Sequence, residues 1–126
     1  MAGRSPSALV AEWYRNQGWM VDTVERYNSF IHQRKDCFGV ADLVAVHPCV
    51  RGTTYLQVSG LSNHGTHIRK MEEPHLAANI KTLLEAGNSY IIISPRKKKR
   101  LELQRFRVSR YEISMGAVVI SEEEYS

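Results

Sequence analysis

Three polar residues interrupt apolar segments that have the composition of buried strands. Asp42 lies within Gly-Val-Ala-Asp-Leu-Val-Ala-Val at 39–46, and Gln57 and Ser59 alternate with apolar residues in Leu-Gln-Val-Ser at 56–59. A buried carboxylate without a partner costs several kcal/mol, so Asp42 is expected to bind a cation or a strong donor. Because hard oxygen ligands are the ones that Mg²⁺ prefers, Asp42 is a candidate ligand of a divalent metal.

A metal at this position would suit the hydrolysis of a phosphodiester. That reaction requires neutralising charge on the phosphate and forming hydroxide near neutral pH, and a divalent metal does both. The residues also leave a plainer alternative open. Asp42 would then lie at an exposed strand edge or pair with a nearby arginine, and Gln57 and Ser59 would be ordinary polar side chains on the less buried face of a hairpin.

A second candidate surface is a basic segment near the C-terminus. Residues 95–110 hold eight Lys or Arg and one Glu, a net charge of +7 within a chain whose total is +4. The positive charge is therefore local, and a local positive field attracts polyanions such as nucleic acid. We expect Arg96, Lys97, Lys98, Lys99 and Arg100 to contact phosphates. The alternatives are a solvated hairpin tip and a nuclear-localisation-like cluster.

The elements that would position these residues follow from apolar periodicity and from Gly and Pro. A helix is expected where apolar residues recur at helical spacing before a glycine, and a strand where they alternate or form short β-branched runs. These signals predict a helix at 5–17, an extended stretch at 19–24, a polar connection at 25–38, a hairpin of strands at 39–46 and 53–59, a helix from 62 that is interrupted at Pro74 and ends at Gly87, a strand at 90–94, and one or two strands at 101–113. Residues 122–126 are expected to fray. The natural packing is a mixed sheet with helices on its faces.

The order of the elements and three local strings resemble the PD-(D/E)XK nucleases, in particular small Holliday-junction-resolvase-like and VRR-Nuc-like members found in phages. The strings are Glu12 in the first helix, Gly-Val-Ala-Asp-Leu at 39–43, and Leu-Gln-Val-Ser at 56–59 followed by Ser-Asn-His at 62–64. The resemblance covers residues 8–94. It implies a restriction-endonuclease-like α/β core with a mixed central β-sheet flanked by helices, in the order α-β-β-β-α-β with further C-terminal strands.

The resemblance also implies a Mg²⁺ or Mn²⁺ cofactor held by Asp42, Gln57 and Glu12. Gln57 and Ser59 occupy positions that the family fills with an acidic residue and a lysine. Ser59 cannot supply the positive charge of a lysine, so a cation is expected from the helix that follows. The candidates are Lys70 in the catalytic group, and Arg69 and His64, which would also contact phosphate.

Composition limits the remaining possibilities. The 126 residues, 43% of them hydrophobic, fit a single domain over 1–126, and two cysteines without a CxxC pair indicate reduced thiols. The chain has no run of about 20 apolar residues and no secretory signal at its start, so we expect an intracellular, cytoplasmic protein that does not bind membranes. The resemblance implies a phage-encoded protein in a host cell.

The sequence therefore favours a metal-dependent DNA endonuclease that acts on branched or structured DNA. Cleavage of a two-fold symmetric junction would require a homodimer. Two alternatives stay open: a catalytically inactive nuclease-fold protein that binds nucleic acid, and a phage-encoded module that binds a host protein.

Overall fold

The computed structural model describes residues 4–24, 26–28 and 33–126, which form helices on both faces of a mixed sheet. Helices are α1 (Pro6–Asn16), α2 (His64–Lys70) and α3 (Pro74–Glu85), with a short 3-10 turn at Leu61–Asn63. Strands are β1 (Met20–Thr23), β2 (Arg26–Asn28), β3 (Gln33–Lys35), β4 (Leu43–His47), β5 (Val50–Val58), β6 (Ser89–Pro95), β7 (Phe106–Ser114) and β8 (Ala117–Tyr125). The predicted α/β class with a mixed sheet is confirmed.

Six strands form the main sheet in the order β1-β4-β5-β6-β7-β8. Strands β5 and β6 are parallel, and every other neighbouring pair in this sheet is antiparallel. The parallel pair requires a crossover connection, which α2 and α3 provide. Strands β2 and β3 pair separately as a small antiparallel hairpin. None of the helices in the described ranges is long and apolar enough to span a membrane.

Alternating side chains divide the core between the two faces of the sheet. Leu43, Ala45, Leu56 and Val58 pack with residues of α1 on one face. The other face carries Tyr90, Ile92 and Tyr111, which pack with residues of α2 and α3. Successive residues of a strand point to opposite faces, so the position of each polar side chain follows from its parity.

The first helix begins and ends as its sequence predicts. Ser5 caps α1 because its side chain accepts a hydrogen bond from the Ala8 N–H at 3.2 Å, and Pro6 occupies the first helical position. Gly18 follows the helix with a φ of 90°, which glycine adopts without a steric penalty.

The helical segment after β5 is interrupted at Pro74, also as predicted. Proline has no N–H to donate and disfavours helical geometry at the preceding residue. Glu73 has a ψ of 132°, so α2 ends before it and α3 restarts at Pro74. Leu76, Ile80 and Leu83 then form the buried stripe of α3.

Two expectations about strands were wrong. The acidic C-terminus is not frayed: β8 pairs with β7 along nine residues and forms an edge of the main sheet. Within the predicted polar connection at 25–38, strands β2 and β3 form a hairpin, while residues 25 and 29–32 lie outside the described part of the chain. Both errors concern polar strands, which lack the apolar alternation that indicates a strand.

Candidate functional site

Asp42 and Gln57 lie opposite each other on neighbouring strands. Asp42 directly precedes β4, and the register that pairs Leu43 with Leu56 places it opposite Gln57 of β5. Both side chains point to the face covered by α2 and α3, and their exposed fractions are only 8% and 4%. The Gln57 amide nitrogen lies 3.5 Å from Asp42 Oδ2. The expectation that these two side chains share one face of the sheet is confirmed.

A third oxygen-bearing side chain, Asp36, lies at the same amide group. In one orientation the Gln57 amide donates to Asp42 Oδ2 and to the Val58 carbonyl, at 3.5 and 3.3 Å. In the exchanged orientation it donates to Asp36 Oδ2 and to the Val40 carbonyl, at 3.1 Å each. The shorter distances favour the exchanged orientation. The amide oxygen of Gln57 then lies beside Asp42 Oδ2.

The turn before β4 brings the Val40 carbonyl to this group. The Cys37 N–H donates to the Ala41 carbonyl at 2.7 Å, and Phe38 and Gly39 both have positive φ, at 54° and 74°. The Tyr90 hydroxyl donates to the Val40 carbonyl at 2.6 Å from β6. This turn is therefore fixed to the sheet, and it holds Asp36 against the end of β5.

The donor atoms at this position suit a hard divalent cation. In the exchanged orientation the Gln57 amide oxygen faces the Asp42 carboxylate and the Val58 carbonyl, while the Asp36 carboxylate and the Val40 carbonyl accept from the amide nitrogen. In the exchanged orientation the Gln57 oxygen and Asp42 Oδ2 are 3.5 Å apart, close to the separation of about 3 Å between neighbouring ligands of one Mg²⁺. No group of three or more His, Cys, Asp or Glu residues in the described ranges could hold a metal ion. A Mg²⁺ site here would therefore depend on the amide, the carbonyls and water.

Asp36 also connects this group to solvent. It lines an open cavity of about 570 Å³ together with residues of β1 and of the turn before β4. Sequence reasoning missed Asp36 because it lies in a polar segment without periodicity, where a carboxylate does not differ from its polar neighbours. Only its position six residues before Asp42 could have drawn attention to it.

Lys70 of α2 and Asp36 both affect the pKa of His67, which also lies on α2. Burial and the nearby Lys70 lower the pKa of His67, while Asp36 raises it, so both groups lie close to the His67 ring. Lys70 is exposed at the end of α2. Ser59, by contrast, is buried and its hydroxyl donates to the Gly60 carbonyl at 2.8 Å. Of Lys70 and Ser59, only Lys70 carries a positive charge and has an exposed side chain.

His64 does not contact phosphate, and that prediction was wrong. Its side chain has no exposed surface. Nδ1 lies 2.7 Å from the Ser94 hydroxyl and Nε2 lies 2.8 Å from the Ser109 hydroxyl. Burial, and then the charge of Arg107, lower the pKa of His64 to about 4, so the imidazole is neutral near pH 7. His64 is a hydrogen-bonded core residue between α2 and the sheet.

Glu12 lies away from the Asp42 and Gln57 pair. Helix α1 packs on the opposite face of the sheet, and Glu12 forms an ion pair with Arg4. It lines a cavity of about 360 Å³ beside Lys98 and Phe106. This placement gives no support to the predicted role of Glu12 as a metal ligand.

The basic segment is divided between β7, the end of β6 and the loop that joins them. Four of its arginines lie within salt-bridge distance of glutamates of β8: Arg96 and Arg105 with Glu124, Arg107 with Glu122, and Arg110 with Glu123. Residues 97–100 are exposed in the loop. Arg69 is exposed on α2 and donates to the Thr66 hydroxyl at 3.2 Å. Among the residues predicted to contact phosphate, residues 97–100 and Arg69 have exposed side chains, whereas Arg96 is partly buried and lies within salt-bridge distance of Glu124.

The fold defines an α/β protein with a six-stranded mixed sheet and a polar group at the end of β5. Comparison of the chain with protein-family models, curated proteins and solved structures finds no match.

Proposed function

We propose that the chain is a metal-dependent DNA endonuclease of the PD-(D/E)XK type. The observation that carries the proposal is the convergence of Asp42, Gln57 and Asp36: one buried amide lies between two carboxylates at the end of β5. The order of elements supports it. Once the separate β2–β3 hairpin is set aside, α1, β1, β4, β5, the two crossover helices and β6 follow the α-β-β-β-α-β order of a restriction-endonuclease-like core.

Asp42 and the Gln57 oxygen would hold Mg²⁺ or Mn²⁺, with water filling the remaining positions, and Asp36 would accept from the Gln57 amide nitrogen and so direct the amide oxygen toward Asp42. When bound, the cation would neutralise charge on the phosphate and promote formation of hydroxide near neutral pH. The backbone fixes the Asp42 carboxylate in advance, because the Val58 N–H donates to its Oδ1 at 3.1 Å. Lys70 would provide the ammonium that the family places where this chain has Ser59.

We propose DNA as the polymer because the loop that carries the exposed cations 97–100 begins at the same end of the strands as the candidate site. Ser59 follows β5, and its N–H donates to the carbonyl of Ile93, two residues before the end of β6. The loop begins where β6 ends. A phosphate backbone held by these cations would therefore pass close to the end of β5. Action on a two-fold symmetric branched substrate would involve a homodimer.

One observation favours a second function, nucleic-acid binding without cleavage. Ser59 replaces the lysine of the family motif, and its hydroxyl is bound to the Gly60 carbonyl. The Ser59 hydroxyl has no positive charge, and its proton is already donated to the Gly60 carbonyl, so it does not replace a lysine in stabilising charge that develops during cleavage. If Lys70 does not act in its place, the chain keeps the nuclease fold as a binding protein.

The test compares cleavage with binding for Asp42→Asn. The variant loses ligand charge while residues 97–100 are unchanged, so cleavage of labelled four-way-junction and duplex DNA in Mg²⁺ should fall at least 100-fold, a loss of about 3 kcal/mol in transition-state stabilisation. Fluorescence anisotropy in Ca²⁺ should show an affinity within about threefold of the parent's. Asp36→Asn should also slow cleavage.

Glu12→Gln is the matched control, because it removes one carboxylate charge on the opposite face of the sheet. Its cleavage rate should equal that of the parent. Equal cleavage by Asp42→Asn and the parent would exclude Asp42 as a ligand. A parent protein that binds DNA but never cuts it would favour the second function.

A further inference from the structure

The loop between β6 and β7 has an ordered base. The Arg96 N–H donates to the Arg105 carbonyl at 2.8 Å, which closes the loop. The Gln104 amide donates to the carbonyls of Arg96 and Arg105, at 2.9 Å each. Together these bonds extend the pairing of the two strands, so the loop projects from a fixed position on the sheet.

The tip of this loop is a tight turn with a leucine in an unfavourable conformation. The Glu102 N–H donates to the Lys99 carbonyl at 3.1 Å, and the Glu102 carboxylate accepts from the Lys99 N–H at 3.3 Å. Leu101, the third residue of the turn, has a φ of 71°. Turns with positive φ at this position normally hold Gly or Asn, because a Cβ atom crowds the following carbonyl. Leu101 therefore does not favour the backbone that it occupies.

Leu101 and Leu103 also contribute nothing to the core. Their exposed fractions are 96% and 79%, whereas most apolar residues of the neighbouring strands are buried. Leu101 therefore occupies an unfavourable backbone conformation without gaining stability from burial. Residues held in strained backbone conformations cluster at functional sites.

Four exposed cations, Lys97, Lys98, Lys99 and Arg100, directly precede the two leucines. The only acidic residue of the tip, Glu102, directs its carboxylate at the main chain of the turn. A polyanion attracted to the cations would therefore meet two exposed apolar side chains of the same loop.

We propose that Leu101 and Leu103 insert between bases of DNA whose phosphates are held by residues 97–100. Proteins that bend or open nucleic acids use apolar side chains as wedges between base steps, flanked by cations on the backbone. Opening an intact stack costs a few kcal/mol per step, and less where the stack is already interrupted. The wedge thus defines the substrate class as DNA with a broken stack, such as a branch point or a junction of single and double strands. This inference rests on the proposed function, because it takes DNA as the ligand.

The test replaces both leucines with asparagine, which tolerates positive φ and keeps the net charge. The probes are a four-way junction and an intact duplex of equal length, each with 2-aminopurine beside the branch point or the central step, in Ca²⁺ to prevent cleavage. The parent should raise the 2-aminopurine fluorescence of the junction by unstacking the base. The Leu101→Asn, Leu103→Asn variant should lose that rise and bind the junction roughly tenfold more weakly, as expected for losing two partly buried leucines. Its affinity for the duplex should stay within about twofold.

Thermal unfolding provides the structural control, since relief of the strained leucine should leave the melting temperature unchanged or higher. Unchanged junction affinity and fluorescence in the double variant would overturn the wedge while leaving the proposed function intact. A wedge signal without cleavage in Mg²⁺ would instead contradict only the nuclease activity. Leucine-dependent binding to phosphatidylserine vesicles, with no binding of DNA, would assign the loop to an anionic membrane surface and overturn the proposal.

Discussion

His64 makes the stability of the fold dependent on pH in a direction that the structure determines. The imidazole is fully buried and each ring nitrogen contacts a serine hydroxyl. Four charged or titratable groups affect it from α2, from β7 and β8, and from the loop after β6: Arg107, Glu122, His67 and Arg96. Burial has the largest effect, and the pKa falls from 6.5 to about 4. The folded protein therefore holds His64 neutral over a range in which the unfolded chain protonates it.

The sign and size follow from proton linkage. Above pH 6.5 both states carry a neutral imidazole, so the hydrogen-bonded core is fully stable. Between pH 6.5 and 4 the unfolded chain binds the proton more tightly, and the free energy of unfolding falls as the pH falls. At about 1.4 kcal/mol per pKa unit, a fall from 6.5 to about 4 is worth about 3 kcal/mol. That loss is a large share of the 5–15 kcal/mol by which small domains are stable.

The assay is urea unfolding followed by circular dichroism at pH 7.5, 6, 5 and 4, for the parent and for His64→Gln. Glutamine reaches one serine but does not titrate, so its cost of about 1 kcal/mol should not depend on pH. The stability advantage of the parent should shrink, and then reverse, by about 3 kcal/mol in total as the pH falls to 4. An advantage that stays constant would refute the reasoning, and one that grows would mean that Glu122 holds a protonated His64.

Two further predictions concern the loop and a turn. Replacing the four cations of residues 97–100 with alanine should flatten the slope of log affinity against log salt on duplex DNA by roughly 3 to 4, since each phosphate contact contributes about 0.9; Lys81→Ala, on α3, should leave the slope unchanged. Gly52→Ala should destabilise the protein by more than about 2 kcal/mol in urea unfolding, because the new Cβ would lie 2.2 Å from the Gly87 carbonyl oxygen. Gly116→Ala has a similar positive φ but open space, so it should cost only about 1 kcal/mol; equal losses would exclude the clash.

The sequence was sufficient for elements whose apolar residues repeat at a regular spacing. Helix α1, the interruption at Pro74 and the hairpin of β4 and β5 all follow from local patterns, and so does the shared face of Asp42 and Gln57. Parity along two apolar strands with a short connection was enough to place that pair.

Residues whose environment depends on distant partners could not be placed in this way. Glu122 lies in an acidic run without apolar alternation. It nevertheless belongs to β8, where Ser109 and Arg107 of the neighbouring strand β7 contact its carboxylate. His64 is buried because Ser94 and Ser109, from two other strands, meet both ring nitrogens. Asp36 joins the candidate site only because a turn with two positive φ angles returns it to β5. None of these partners is adjacent in the sequence.

The strand formed by the acidic C-terminus also limits which basic side chains are free of glutamate partners for the proposed DNA binding. Glu122, Glu123 and Glu124 pair with four of the eight basic residues at 95–110, so much of that segment's charge is compensated within the sheet. Exposed ion pairs of this kind add little stability, but they remove the arginines from competition for phosphate. Within the described ranges, exposed cations without a glutamate of β8 as partner include residues 97–100, in the loop after β6, and Arg69 and Lys70, on α2. In the proposed function, a DNA strand held by residues 97–100 would start from the end of β6, which lies beside the end of β5 because the Ser59 N–H donates to the Ile93 carbonyl.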